Sequence, residues 1–146
     1  MPNNFHFLVK QTDANTIDRF MNSLCTRYSM YFNKKYKRGG PLFQGLYKAV
    51  LVGSDEQLLH LSRYIHRNPA LQQPLQGRAL QRLLQSYSYS SYPDYLKLRR
   101  SKWLKPESIL SFFSQQGFTS YASFVETIQE DNEGTEIIQS LQIDRE

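Results

Sequence analysis

The chain has 146 residues, 40% hydrophobic and 14% aromatic, with a formal net charge of +5. That length suits one domain with a buried core and is short for two, and the single cysteine, Cys25, excludes an internal disulfide and a cysteine zinc cluster. The longest apolar runs (Phe7 to Val9, Ala49 to Val52) fall far short of the roughly 20 residues that span a bilayer, and no basic-then-apolar secretory leader opens the chain, so no membrane partner and a cytoplasmic location are expected.

Phe5 to Val9 reads as a short strand, followed by a polar turn from Gln11 to Asn15. Ile17, Phe20, Met21, Leu24, Tyr28 and Tyr31 then recur at spacings of three and four, which predicts an amphipathic helix with Asn15 or Thr16 as its N-cap. Lys34 to Arg38 suits its last turn, where cations complement the helix dipole, and Gly39-Gly40-Pro41 stops it. Cys25 lies beside the apolar stripe and reads as a small buried thiol. The segment LFQGLYKAVLV, residues 42–52, is aromatic and β-branched between turn signals and predicts a second strand.

Ser54 or Asp55 caps a further helix through LLHLSRYIHRN, with Leu58, Leu61 and Ile65 inward and Pro69 ending it. A short helix is expected within residues 70–85, a Ser/Tyr-rich loop over SYSYSSYPDYL (residues 86–96), and two small helices in WLKPESILSFFSQQG and TSYASFVETIQE. Residues 1–105 hold 17 of the 18 Lys and Arg and 5 of the 13 Asp and Glu, a charge of +12, whereas residues 106–146 carry −7. A basic body with tyrosines among its cations is the composition of a protein that follows a phosphate backbone.

Two constellations carry chemistry. In SRYIHRNP, Tyr64 and Asn68 are four apart and share a helix face, from which His66 points away. In Asn4-Phe5-His6, alternation along a strand sets Asn4 and His6 on one face. His60, one turn before Tyr64, reads as surface-facing. Lys34, Lys35, Lys37, Arg38 and Lys48, with Arg63 and Arg67 beside the tyrosine, are candidate DNA contacts.

Four motifs in order, MPNNFHFLV, GGPLFQGLYKAVLV, SRYIHRNP and YSYSSYPDYL, resemble the single-tyrosine HUH transposases, specifically the REP-associated tyrosine transposase type. The resemblance runs from residue 1 to about residue 125. It implies a ferredoxin-like α+β domain in which a divalent ion, Mg²⁺ or Mn²⁺, polarises a phosphate of single-stranded DNA beside a hairpin. A tyrosine attacks that phosphate, giving a 5′-phosphotyrosyl link and a free 3′-OH. Carried over by position, Tyr64 is the nucleophile, His6 and Asn68 are metal ligands, and Asn4 occupies the place of a second histidine.

Leu46 stands where the family usually has arginine and Pro41 where it often has histidine. The family's first strand, helix and strand precede the MPN segment. Their absence here implies a start upstream of Met1 or a surviving fragment of a decaying gene, and implies that the stripe from Ile17 to Tyr31 is partly uncovered. The expected organisation is a partial transposase domain over residues 1–96, a helical extension over 97–130 and an acidic, disordered tail over 131–146, as monomer or homodimer. Weak or no cleavage is expected of this copy. Two alternatives stand beside it: an inactive single-strand or hairpin DNA-binding module, and a ferredoxin-like RNA-binding domain stacking bases on Phe43 and Tyr47.

Overall fold

The computed structural model describes residues 5–71, 75–115 and 120–127. Among them are six α-helices, α1 Thr16–Tyr36, α2 Asp55–Arg67, α3 Gly77–Ser86, α4 Tyr92–Tyr95, α5 Glu107–Gln115 and α6 Tyr121–Glu126, and a 3-10 turn, Asn68–Ala70, after α2. The acidic tail, residues 131–146, lies outside the described residues, as does Asn4.

The expected α+β ferredoxin-like fold is not what forms: no strand occurs among the described residues, including Phe5 to Val9 and residues 42–52. β-Branched and aromatic composition records only that side chains would suit a pleated, half-buried surface. A strand exists only when a neighbour accepts its ladder hydrogen bonds, and neither segment has that pairing here. Their large side chains stay exposed instead, Phe7 at 45%, Leu46 at 95% and Leu51 at 88%. The ferredoxin-like RNA-binding alternative loses its sheet by the same finding.

The chain divides into two compact units, one taking in Leu8–Val50 and the other the described parts of residues 1–7 and 51–146. In the first, α1 runs its predicted course and ends when Lys37 adopts left-handed dihedral angles (φ 51°), its amide donating to the Asn33 carbonyl. The Asn33 side-chain amide then donates to the Gly40 carbonyl at 2.8 Å, which fixes the chain leaving the helix. Tyr28 packs its ring against Phe43 at 6.1 Å, and the Tyr47 hydroxyl donates to the Asp18 carboxylate. No residue of α1 is buried; of the apolar stripe, Phe20, Tyr28 and Tyr31 are exposed and Ile17, Met21 and Leu24 half-buried.

In the second unit, Ser54 caps α2 by accepting the Gln57 amide at 3.1 Å, while the Gln57 side chain reaches back to accept from the Gly53 amide at 2.8 Å. This reciprocal pair satisfies one amide of the first helical turn and that of the residue before the cap. Asn68 keeps helical angles (φ −50°, ψ −39°) despite the following proline, so α2 tightens into the 3-10 turn at Pro69 instead of breaking. α2 packs on α6, and α3 on α4, α6 and the 3-10 turn. The core is Leu61, Ala70, Leu80, Leu84, Tyr92, Ile109, Tyr121 and Val125.

The Ser/Tyr-rich stretch expected to be a loop contributes α4 and buries Tyr92, Pro93 and Asp94. Asp94 is buried yet charged because Arg99 bridges it at 2.6 Å and the Ser101 amide donates at 2.7 Å. Burial alone would raise its pKa; these donors outweigh it and hold the carboxyl below the usual range.

Candidate active site at Tyr64

The register of α2 decides what each side chain can do. Leu61, Ser62, Arg63 and His66 are buried, while Tyr64 and Asn68 are half-buried and one turn apart, with the Asn68 amide donating to the Tyr64 carbonyl. The His6 ring meets the Tyr64 ring edge-on, centroids 6.1 Å apart and planes at 70°. The structure therefore brings together His6 and Tyr64, with Asn68 on the turn that follows. The remaining residue of the expected site, Asn4, lies outside the described residues.

The tyrosines around His66 are poorly suited to attack. Burial raises the Tyr95 hydroxyl to about 12 and pushes Tyr121 and Tyr92 well upward, the last assisted by its hydrogen bond to Glu126 at 2.8 Å. Tyr92 and Tyr121 are buried in the core and Tyr95 is half-buried.

Among the described residues, the His6 imidazole lies beside Tyr64 and the Asn68 carboxamide follows one turn later. Among the described residues no three His, Cys, Asp or Glu side chains converge as a metal cluster. Mg²⁺ is usually held through one or two carboxylates together with substrate phosphates. His6 and Asn68 are the described side chains there that could ligate such an ion, and neither is a carboxylate.

The seven candidate DNA contacts separate by environment. Lys34, Lys35, Lys37, Arg38 and Lys48 are exposed in the Leu8–Val50 unit. Arg63 and Arg67 are turned to other work: Arg63 donates to the Thr127 carbonyl at 2.7 Å, and Arg67 to those of Thr127 at 3.0 Å and Val125 at 3.3 Å. They close the C-terminus of α6, where guanidinium groups meet the free carbonyls and the negative end of the dipole. Burial and the neighbouring Arg63 lower the Arg67 pKa. His60, expected at the surface, is half-buried with its ring 6.0 Å from that of Phe124.

The sequence reading missed the polar centre around His66. Its Nδ1 is 2.7 Å from the Tyr121 hydroxyl and its Nε2 is 2.8 Å from Ser91 Oγ, and Tyr92, Tyr95 and Tyr121 surround the ring. Ser62 accepts from the Tyr121 hydroxyl at 3.1 Å. The signal available was Ser62 and His66 four apart on α2, which puts both on the face opposite to that read for Tyr64 and Asn68.

No helix among the described residues is long and apolar enough to cross a membrane. No curated protein and no solved structure matches the chain. Residues 1–68 match the family model of the IS200-like transposases, and that segment, which holds His6, Tyr64 and Asn68, supports a transposase-like protein with DNA as its partner.

Proposed function

We propose that this protein binds hairpin-flanked single-stranded DNA and that Tyr64 is the nucleophile of a cleavage and rejoining reaction of the REP-associated tyrosine transposase type. The observation that carries this reading is the edge-on packing of His6 on Tyr64 at 6.1 Å, with Asn68 on the next turn. In the reaction the Tyr64 phenolic oxygen bonds to phosphorus and releases its proton to solvent. The bond from phosphorus to the 3′-oxygen breaks, and that oxygen takes up a proton. One phosphodiester is exchanged for another, so rejoining needs no nucleotide cofactor.

His6 and Asn68, with Asn4, would hold Mg²⁺ or Mn²⁺ on the reacting phosphate, and the ion would offset the charge that gathers there. The His6 ring also limits where the Tyr64 ring can swing. Asn68 holds its position through the turn that Pro69 tightens.

The test is incubation with end-labelled single-stranded DNA carrying a hairpin, followed by denaturing electrophoresis and mass spectrometry. A low yield of 5′-linked adduct is expected, mapped to Tyr64 and abolished by a chelator. An adduct mapped to another residue, or one formed equally well without divalent ions, overturns the assignment.

The second reading is an inactive DNA-binding module. It is favoured by the donor set, one imidazole with amides and no carboxylate. Binding of the same DNA with no adduct at any divalent-ion concentration selects it.

A further inference from the structure

α1 presents a row of aromatic rings beside its cations. Tyr28, Tyr31 and Tyr36 are 48%, 57% and 56% exposed. Tyr28 neighbours Tyr31 and Phe32 with ring centroids 6.4 and 6.2 Å apart, and Phe32 neighbours Tyr36 at 4.4 Å. These positions follow helical spacings of three, four and eight, so they lie along one side of the helix over roughly 12 Å.

Lys35 Nζ stands 5.8 Å from the Tyr31 ring centre and 5.3 Å from that of Tyr36, and the Arg38 guanidinium lies 5.8 Å from that of Phe32. The bland interpretation is that lysines at a helix C-terminus complement its dipole and rest on whatever rings are near. That accounts for the cations, and the partly uncovered stripe accounts for Tyr28 and Tyr31, but neither accounts for the alternation of exposed rings with cations as far as Tyr36.

The pattern has the two components of a single-strand platform: flat rings for bases and neighbouring cations for phosphates. Its length matches three to four stacked bases of one strand at about 3.4 Å each. The occupant is selected by charge as well as shape, since Lys34, Lys35, Lys37 and Arg38 are all exposed at this end of α1. We infer that Tyr28, Tyr31 and Tyr36 stack unpaired bases of single-stranded DNA while Lys35 and Arg38 hold the adjacent phosphates. This site rests on the DNA reading above but is independent of Tyr64 and of any metal.

The experiment uses the full chain and fluorescence anisotropy with a short labelled oligodeoxythymidine, an abasic strand of equal length and charge, and a duplex. Tyr31→Ala with Tyr36→Ala is expected to weaken oligodeoxythymidine binding by about 10-fold or more. Binding of the abasic strand and the duplex should be unchanged by the pair. Tyr31→Phe with Tyr36→Phe should keep the wild-type affinity, because the rings remain. As no residue of α1 is buried, helical circular dichroism should be retained.

If the alanine pair binds oligodeoxythymidine as wild type does, while Lys35→Ala with Arg38→Ala weakens it, the stacking row is wrong and the DNA reading stands. If wild type binds none of these nucleic acids, the DNA reading fails. A change in self-association by the alanine pair, with DNA affinity unaltered, would assign the face to a second copy and overturn the proposal.

Discussion

Asn4→His is expected to raise the yield of covalent DNA adduct at least about 10-fold in Mg²⁺ or Mn²⁺, and Tyr64→Phe to abolish it in either background. Loss of a partner that merely orients a metal ligand typically costs roughly 10- to 100-fold in affinity or activity, so exchanging a ligand itself should cost no less. An amide oxygen is a weaker donor than imidazole towards Mn²⁺, and the gain should be largest with that ion. Tyr64→Phe removes a single oxygen and keeps the ring against His6, so loss of the adduct reports the nucleophile and not a collapsed site. An adduct surviving in Tyr64→Phe would refute the assignment. Equal yields with and without Asn4→His would show that asparagine serves as well as histidine there.

The second large effect is a fall in stability between pH 6.5 and about 4. Burial lowers the His66 pKa from its ordinary 6.5 to about 4. Above pH 6.5 the imidazole is neutral in both folded and unfolded chains and pH has no leverage. As pH drops below 6.5 the unfolded chain takes up a proton that the folded chain refuses, so unfolding is favoured increasingly until the folded pKa is reached. The full difference is roughly 3 kcal/mol. The groups facing His66 are the Tyr121, Tyr92 and Tyr95 rings and the Ser91 hydroxyl, none of which offers a carboxylate to stabilise imidazolium.

Asp94 titrates in a lower window, because its pKa is depressed and its contribution is lost only as pH falls through that value. Urea unfolding at a series of pH values should therefore show a slope between pH 6.5 and 5 that His66→Phe flattens. A wild-type chain equally stable across that interval would disprove the account. The substitution should also lower stability at neutral pH, because the Tyr121 and Ser91 hydroxyls lose their ring partner.

How far this could be read from the sequence depended on the range of the interactions involved. α1 and α2 were legible because apolar spacing and the Ser54 cap are local, although α1 ends at Lys37, before Gly39-Gly40, and α2 runs on into a 3-10 turn at Pro69. That Tyr64 and Asn68 lie one turn apart followed from helical geometry, whereas the contact between the His6 and Tyr64 rings could not be read from local pattern. The two strands were misread because pairing is a property of distant segments, which composition does not report. The carbonyl partners of Arg63 and Arg67 could not be read from the sequence, because they lie about 60 positions away. Tyrosines among serines resemble a loop until Tyr92 finds the distant Glu126 carboxylate, which permits its burial.

The hydrogen bonds from Arg63 and Arg67 to the end of α6 set a minimum length for anything cut from this protein. The family match stops at Asn68, but the inner face of the tyrosine-bearing helix is completed by residues between Ser91 and Thr127. A fragment trimmed to the matched segment would carry Tyr64 on a helix stripped of its backing, with Leu61 and His66 opened to water. The smallest portable form of the site is thus fixed by where side chains close on one another, well beyond the point where family likeness ends.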